Sequence, residues 1–349
     1  MGCVIFVIEF DNMVNKPLTG TKVIELSGIG PTPYAGQLLA DLGAEVIRIE
    51  RPGALKLPVE NRGKICLELD LKTDTGRQSV LDMLPAAHIV FEGNRPGVME
   101  KLGLGPEDCH KINPALIYGR MTGWGQDGPW ARKAGHDINY IGLTGALHAL
   151  GDADRPPALP LNFVGDYGGG SQFLVIGILA ALLEAQKSGK GCVIDAAIID
   201  GTFSMMGIVH SLDSLGMWSE KRGTNLLDGS RPFYRCYTTS DGGYMAVGCL
   251  EPHFFSEMLK VLQLDPQIYG AQNDPKLWAA QSERLRQIFA SKPRAHWEAL
   301  FENTDACVTP VLSYQEAAAH PHNKARKTHT EQEGVVYPAN APRFTELLP

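Results

Sequence analysis

A strand–turn–helix–strand pattern near the start of the chain constrains the fold more than any other feature. Residues 22–26 are predicted as a buried strand, a turn rich in glycine and proline follows, and a helix at 34–42 leads to a second strand at 46–49. Strands that are joined through a crossover helix in one sheet run parallel. The sequence therefore predicts an α/β protein with a parallel sheet.

Further patterns extend this sheet and add a second region. Apolar runs predict strands at 65–71, 88–91, 116–119 and 192–197, and a long helix at 171–186. A β-hairpin, three helices and a returning strand at 305–311 indicate a smaller α+β domain, and residues 315–349 are predicted as an extended tail. The predicted organisation is a large domain at 1–198 completed by 325–349, a linker helix at 199–228, a small domain at 229–310 and a return linker at 311–324.

Charge and cysteine usage exclude several classes of protein. A net charge of −7 argues against general nucleic-acid binding, which favours a basic face. The seven cysteines form no CxxC pair, so a zinc site or disulfide framework is not expected. The apolar run at 173–183 is shorter than the roughly 20 residues that span a bilayer, and the N-terminal apolar run lacks a basic region before it. We expect a cytoplasmic protein, or an organellar one in a eukaryote, without membrane contact.

Two glycine-flanked segments carry acid/base groups. Residues 135–140 read Gly-His-Asp-Ile-Asn-Tyr, and residues 162–170 read Asn-Phe-Val-Gly-Asp-Tyr-Gly-Gly-Gly. Glycine lets the backbone bend tightly and approach a ligand, so His136 and Asp166 could move a proton between them. Asp166 is also predicted just before the helix at 171–186, where free N–H groups would stabilise an anion such as an enolate oxygen.

Glycines and basic residues at the ends of the predicted strands indicate where a ligand binds. Gly28 and Gly30, with Glu50 about 20 residues later, resemble a dinucleotide fingerprint, but the third glycine is missing and two prolines remove N–H groups. We therefore do not expect NAD. A set of basic residues falls at strand ends, where open α/β sheets bind ligands, and is interpreted as a phosphate-binding rim: Arg51, Lys72, Arg95 and Lys101.

The chain resembles the family III CoA-transferases and, within them, the α-methylacyl-CoA racemases. The resemblance runs from about residue 18 to about residue 344. Its most specific part is the complete Gly-His-Asp-Ile-Asn-Tyr signature at 135–140. The other matching segments are Gly-Arg-x-Thr-Gly-Trp-Gly-Gln at 119–126, Gly-Asp-x-Gly-Gly-Gly at 165–170, Gly-Lys-Gly at 189–191 and Glu-Leu-x-Gly-Ile-Gly-Pro at 25–31.

The resemblance implies a fold and a set of site residues. The fold is an interlocked homodimer in which a Rossmann-like large domain of one subunit and the small domain of the other form the active site. The acid/base residues are His136 and Asp166, and Glu251 partners the histidine across the subunit boundary. The residues expected to contact CoA are Ile29, Arg51, Leu69, Asp70, Leu71, Lys72, Gly93, Asn94, Arg95, Lys101, Gly135, Asp137, Ile138, Asn139 and Tyr140.

The implied reaction is inversion of the α-carbon of a 2-methylacyl-CoA by proton transfer through an enolate. One base removes the proton from one face and the other supplies a proton to the opposite face. No metal or separate cofactor is expected, because CoA is part of the substrate. The acyl group is left open between branched fatty acyl, bile-acid and aryl-propionyl groups.

Two alternatives remain at this stage. In a CoA-transferase, Asp166 would be a nucleophile that carries an acyl group. The transferase branch usually lacks histidine at the position of His136 and has a glycine-rich loop where residues 248–252 here read Gly-Cys-Leu-Glu-Pro. A non-catalytic acyl-CoA-binding protein on the same fold is the second alternative.

Overall fold

The computed structural model describes the backbone of Val4–Ile5 together with residues 16–26 and 28–345. The remainder of the N-terminal segment 1–17, to which sequence analysis assigns no role, and the four C-terminal residues lie outside these described residues. The chain forms two compact units. Unit 1 combines the chain up to Leu147 with Leu159–Gly207 and the chain from Lys327 onward, and unit 2 combines His148–Ala158 with Ile208–Arg326. The sequence predicts residues 148–158 within the large domain, whereas they belong to unit 2.

Unit 1 contains a seven-stranded sheet. Six strands are parallel, in the order β4-β3-β2-β5-β6-β7, and β1 pairs antiparallel with β4 at one edge. This is the strand order of doubly wound sheets, in which the order reverses between two adjacent strands. Here the reversal lies between β2 and β5. The parallel pairing of the six strands confirms the predicted parallel sheet. The strands are β1 (Val4–Ile5), β2 (Lys22–Leu26), β3 (Glu45–Glu50), β4 (Lys64–Glu68), β5 (Ile89–Glu92), β6 (Ile117–Thr122) and β7 (Cys192–Ala197).

Helices cover both faces of this sheet, which explains why its strands are apolar runs rather than alternating patterns. Neighbouring residues of β2 show this, since Val23 belongs to a core with α1 and α6 while Ile24 belongs to a second core with α2 and α4. A 3-10 turn (Leu84–Ala86) follows α2. The helices are α1 (Pro31–Asp41), α2 (Asp74–Met83), α3 (Val98–Lys101), α4 (Pro106–Ile112), α5 (Asp137–Leu143), α6 (Gln172–Ser188) and α7 (Ile198–Met205).

The long helix of unit 1 begins earlier than predicted. A π-helical stretch, Phe163–Ser171, runs directly into α6, so Asp166 lies inside the helix rather than before it. The expected free N–H groups at Ser171 are therefore absent, because the helix does not begin there. Together the two stretches form a 26-residue helix that could cross a membrane by length and composition. Leu174 and Ile178 nevertheless lie in the core, as in the central helix of an α/β domain.

Two other boundaries in unit 1 differ from the predictions for local reasons. Helix α1 begins at Pro31, because proline lacks an N–H group that the first helical turn would leave unpaired anyway. Strand β4 ends at Glu68 instead of residue 71. The side chain of Asp70 accepts a hydrogen bond from the Lys72 N–H at 2.9 Å, and its carbonyl accepts one from the Thr73 N–H at 3.0 Å, which forms the turn before α2.

A buried ionic cluster lies within the sheet, below the ends of its strands. Glu25 is fully buried and pairs with Lys64, whose Nζ lies 2.7 Å from Oε2. The Arg48 guanidinium pairs with Glu25 and also with Glu50, at 2.8 Å for the second pair. Each charge has a partner, which is the condition under which buried charges are tolerated.

Gly36 of α1 leaves the space in which this cluster fits. A Cβ atom at this position would lie 2.0 Å from Glu25 Oε2 and 2.8 Å from Lys64 Nζ. We expect Gly36→Ala to separate the pair and to lower unfolding stability by about 3 kcal/mol or more, as when a buried ion pair is broken. The midpoint of urea unfolding measures this loss. Gly142→Ala is the control, because its nearest neighbour would lie at 3.9 Å; equal losses in both variants would contradict the prediction.

Unit 2 is a small α+β structure, as predicted. Its sheet has the order β10-β9-β8 and is antiparallel throughout, with strands β8 (Tyr234–Thr238), β9 (Tyr244–Gly248) and β10 (Val308–Val311). One face packs against the helices through Tyr237, Met245 and Val247, which share a core with Phe289 of the helix Trp278–Phe289. Helix α8 begins at the boundary of the units. The helices are α8 (Gly207–Ser214), α9 (Pro252–Val261), α10 (Pro266–Tyr269), α11 (Trp278–Phe289), α12 (Arg294–Phe301), α13 (Tyr314–Ala319) and α14 (Pro321–Ala325).

The C-terminal region is more structured than the predicted extended tail. Helices α13 and α14 occupy the segment predicted as a return linker, and the chain then forms a hairpin of β11 (His329–Gln332) and β12 (Val335–Pro338). Ser313 starts α13 with a capping box, in which its side chain accepts from the Glu316 N–H. Past the hairpin, the Asn340 side chain donates to the Asp41 carbonyl at the end of α1.

Candidate active site

The loops at the strand-order reversal converge on one edge of the sheet. Gly28–Gly30 follow β2, and Gly93–Arg95 follow β5, so both loops lie at the carboxyl ends of adjacent parallel strands. Ligands of open α/β sheets bind at this point, because the two loops diverge and leave a crevice.

Two neighbouring cavities open at this crevice. The first has a volume of about 400 Å³ and is lined by His136, Asp166, Arg95 and Tyr140 among others. The second measures about 580 Å³ and includes Arg51. Both are lined by Ile29, Gly30, Gly93 and Asn94. The predicted acid/base residues and the predicted CoA residues of these loops therefore line two cavities that share one wall.

His136 is the residue that precedes α5, and its backbone is held by the helix that it starts. Its N–H donates to Asn139 Oδ1 at 3.0 Å, and its carbonyl accepts from the Asn139 N–H at 2.8 Å. The Tyr140 hydroxyl donates to the Gly135 carbonyl, and the Tyr140 ring lies edge-on to Trp124 with centroids 4.7 Å apart. The imidazole itself is exposed in the cavity. The helix start thus fixes the backbone of His136, and the exposed side chain lines the cavity.

Asp166 projects into the same cavity from the π-helical stretch. Burial raises the pKa of its carboxyl to about 6, and the neighbouring charge of Asp137 adds to this rise. His136 and a hydrogen bond from Asn162 act in the opposite direction. A carboxyl group with this pKa can hold or release a proton near neutral pH, as acid/base catalysis requires. π-Helical turns are frequent at functional sites.

Gly30 lies against the Asp166 carboxylate. A Cβ atom at Gly30 would be 2.6 Å from Asp166 Oδ2, and Gly30 also has a φ of 71°. We expect Gly30→Ala to displace the carboxylate and to lower turnover by about 100-fold, the usual effect of misplacing a reacting group by about 1 Å. Gly20→Ala is the matched control, since Gly20 has a φ of 85° but no atom within 4 Å of the added Cβ. Steady-state rates that fall equally in the two variants would attribute the loss to backbone strain instead.

The other predicted site residues fall into three groups. Asp137, Ile138 and Asn139 form the first turn of α5 beside the first cavity. Leu69 to Lys72 form the loop between β4 and α2, and Lys101 ends α3; these residues line neither cavity. Glu251 belongs to unit 2, where it is exposed and precedes α9. In the described part of the chain, the four cations of the proposed phosphate rim make no ion pair: Arg51, Lys72, Arg95 and Lys101.

Sequence reasoning missed several residues that shape the crevice. Trp124 and Lys133 line the first cavity, and Asn162 contacts Asp166. Glu92 is fully buried below the second loop, where its carboxylate accepts from the Asn94 N–H at 2.6 Å. Burial raises the pKa of Glu92 to about 7. The one sequence signal for Glu92 was its position at the end of an otherwise apolar strand.

Among residues 16–26 and 28–345, no group of three His, Cys, Asp or Glu residues is arranged to hold a metal ion.

Comparison with known proteins decides the family. The model of CoA-transferase family III matches residues 18–346. This chain belongs to CoA-transferase family III. The family resemblance predicted from the motifs is therefore confirmed, and the match covers both units.

Individual relatives refine this assignment. The chain is 42% identical to the mouse protein named alpha-methylacyl-CoA racemase over 326 residues, which is 93% of this chain and 86% of the mouse protein. It is also 42% identical to the human protein of the same name, over 93% and 86% of the two chains. The crystal structure of a CAIB/BAIF family protein from Brucella suis superposes with a TM-score of 0.83 at 27% identity, over 96% of this chain and 94% of the other.

Proposed function

We propose that this enzyme is a racemase that inverts the α-carbon of 2-methylacyl-CoA thioesters. The observation that carries the proposal is that His136 and Asp166 face one cavity at the strand-order reversal. The 42% identity to two proteins named alpha-methylacyl-CoA racemase supports the same substrate class.

The proposed mechanism uses one base on each face of the α-carbon. In one direction neutral His136 removes the α-proton while protonated Asp166 delivers a proton to the other face. In the reverse direction ionised Asp166 is the base and the imidazolium is the acid. A single base would usually return the proton to the face from which it came, so inversion requires both residues.

The raised pKa of Asp166 suits this exchange. With a pKa of about 6, the Asp166 carboxyl holds a proton in part of the enzyme molecules near neutral pH and is ionised in the rest. Asp166 can therefore supply a proton to one substrate epimer and remove one from the other. An ordinary aspartate, with a pKa of about 3.9, would almost always be ionised at neutral pH.

The charges in the crevice suit a CoA thioester. Arg51 and Arg95 present exposed guanidinium groups to the two cavities, where the phosphates of CoA would bind. Arg95 and Lys133 line the same cavity as His136 and Asp166, and their positive charge would stabilise the negative charge of the enolate. CoA enters as part of the substrate, and the two proton transfers themselves need no further cofactor.

A CoA-transferase is the alternative, because the family includes such enzymes. In that reaction the Asp166 carboxylate would attack the carbonyl carbon of an acyl thioester, the C–S bond would break to release the CoA thiolate, and a mixed anhydride would form. The presence of His136 in the same cavity favours the racemase, since a nucleophilic carboxylate does not need a second acid/base group on the opposite side.

The two functions are distinguished by incubating one pure epimer of a 2-methylacyl-CoA in D₂O without a free carboxylic acid. The racemase is expected to invert the α-carbon and to incorporate deuterium there. Acyl movement that occurs only after a free carboxylate is added, with no α-deuterium, would establish the transferase. CoA binding without either reaction would support a binding protein.

We also propose that the enzyme is an interlocked homodimer in which Glu251 of one subunit orients His136 of the other. Unit 1 presents large apolar side chains of α6 and α7 to solvent, with exposed fractions of 60% for Ile176, 62% for Leu183 and 50% for Phe203. Ile176 and Leu183 are seven residues apart in α6 and therefore lie on one helix face, and exposed apolar surface of this kind marks interaction sites. A second copy of the chain, as the family resemblance implies, would cover them.

Light scattering in solution is therefore expected to give twice the chain mass of 37.9 kDa. Ile176→Asp should shift the mass toward the monomer, because a charge would then be buried in the interface. Ile268→Asp is the control, since Ile268 is 85% exposed and belongs to α10 of unit 2 rather than to α6 or α7. A wild-type mass of one chain would contradict the dimer.

A further inference from the structure

We propose that Asp137 is a positioning residue whose carboxylate holds the two bases, His136 and Asp166, at the separation that inversion needs. The inference rests on the proposed racemase function and assigns a separate role to a residue that sequence analysis placed only among the CoA contacts.

The Asp137 carboxylate connects the two elements that carry the bases. Asp137 directly follows His136 and is the first residue of α5. Its Oδ2 accepts a hydrogen bond from the backbone N–H of Asp166 at 2.7 Å, and the N–H of Gly165 also faces it. Charge-assisted hydrogen bonds of this type are among the stronger ones in proteins. One side chain therefore joins the residue after the first base to the backbone of the second base.

The opposite element is built to receive this carboxylate. A Cβ atom at Gly165 would lie 2.4 Å from Asp137 Oδ2 and 2.9 Å from Ile141 of the same helix. Any larger residue would push α5 away from the π-helical stretch. Ile141 is fully buried, so the contact continues along α5 into the core. The glycine and the carboxylate together set a close and definite distance between the two elements.

Inversion depends on this distance more than proton abstraction does. Abstraction needs only one base within reach of the α-hydrogen, whereas inversion needs a second group correctly placed on the opposite face at the same time. If the link is removed, the base on one side can still take a proton and return it to the same face. Misplacement should therefore separate α-hydrogen exchange from inversion.

The same carboxylate also affects the charge state of the pair. Asp137 is the largest electrostatic cause, after burial, of the raised pKa of Asp166. His136, whose charge lowers the pKa of Asp166, lies in the same cavity as Asp166. The other charged and titratable groups there are Tyr140 on α5 and Arg95 on the loop after β5. Burial raises the pKa of Asp137 itself, and the two backbone N–H donors lower it.

Two substitutions separate position from charge. Asp137→Ala removes the acceptor, and we expect inversion to fall by about 10- to 100-fold while α-deuterium uptake with retention falls less. Asp137→Asn keeps an acceptor oxygen but removes the charge. It should keep the wild-type ratio of exchange to inversion, while the acid limb of the pH–rate profile moves to lower pH because the pKa of Asp166 falls.

The experiment follows configuration and α-deuterium content of one 2-methylacyl-CoA epimer in D₂O, for the full-length wild type, both Asp137 variants and the exposed control Asp154→Asn. An Asp137→Ala variant with the wild-type ratio of exchange to inversion would overturn the inference. A ratio that changes in Asp137→Asn as much as in Asp137→Ala would also overturn it, because the effect would then come from charge. Failure of the proposed function is distinct, since the wild type itself would show neither exchange nor inversion.

Discussion

Epimerisation by the His136→Ala variant is expected to fall by about 100- to 10,000-fold, the contribution of a positioned acid/base group. The imidazole is exposed and the backbone of His136 is held by Asn139, so the substitution should leave the fold intact. CoA binding, measured by calorimetry, should remain close to that of the wild type. The rate is measured from the configuration of a single epimer of a 2-methylacyl-CoA over time.

His322→Ala is the control for this variant. His322 is exposed on α14 in unit 2 and makes no contribution to either cavity. A His136→Ala enzyme that inverts its substrate at the wild-type rate would rule out the two-base mechanism. Loss of CoA binding together with turnover would instead make His136 a binding residue.

The Asp166→Asn variant should lose inversion to a similar extent as His136→Ala. It should keep the removal of the α-proton by His136. Asparagine fills the same space beside Gly30 but cannot deliver a proton at neutral pH. His136 can still remove the α-proton of the epimer whose α-hydrogen points toward the imidazole. We therefore expect α-deuterium uptake with retention for one epimer and almost none for the other. Nuclear magnetic resonance of the recovered acyl group measures both.

This asymmetry between epimers is the decisive result. Equal exchange of both epimers would show that Asp166 is not the second base. In a transferase, the same substitution would remove the nucleophile and abolish acyl movement to a free carboxylate, with no effect on α-exchange. Asp154→Asn, an exposed position in unit 2, serves as the control for the substitution itself.

The sheet of unit 1 was predictable because its strands are short apolar runs between glycine-rich turns. A strand buried on both faces is apolar at successive positions, as Val23 and Ile24 show by packing into opposite cores. The helix at 171–186 was placed correctly but begun too late. The glycines at 168–170 indicated a break, whereas they lie inside the helix and allow close packing, since a Cβ at Gly169 would meet Thr202 and Ile198 of α7.

In the predicted site, too, local motifs could be recognised from the sequence, whereas features that depend on packing could not. His136 and Asp166 could be identified because each lies in a specific motif. Glu92 and Asn162 could not, because their importance depends on what folds over them. Lys101 and the loop at 69–72 line neither cavity, so their contact with CoA stays a prediction.

The sequence by itself determined the family, the parallel sheet of unit 1 and the identity of the two proposed bases, because each follows from a local pattern of residue types. Only the tertiary structure decided that residues 29 apart in the chain are joined by the Asp137–Asp166 hydrogen bond. It also decided that Asp166 is buried enough to raise its pKa to about 6. Both properties arise from the approach of α5 to the π-helical stretch, since hydrogen-bond distance and desolvation depend on neighbours that are distant in sequence.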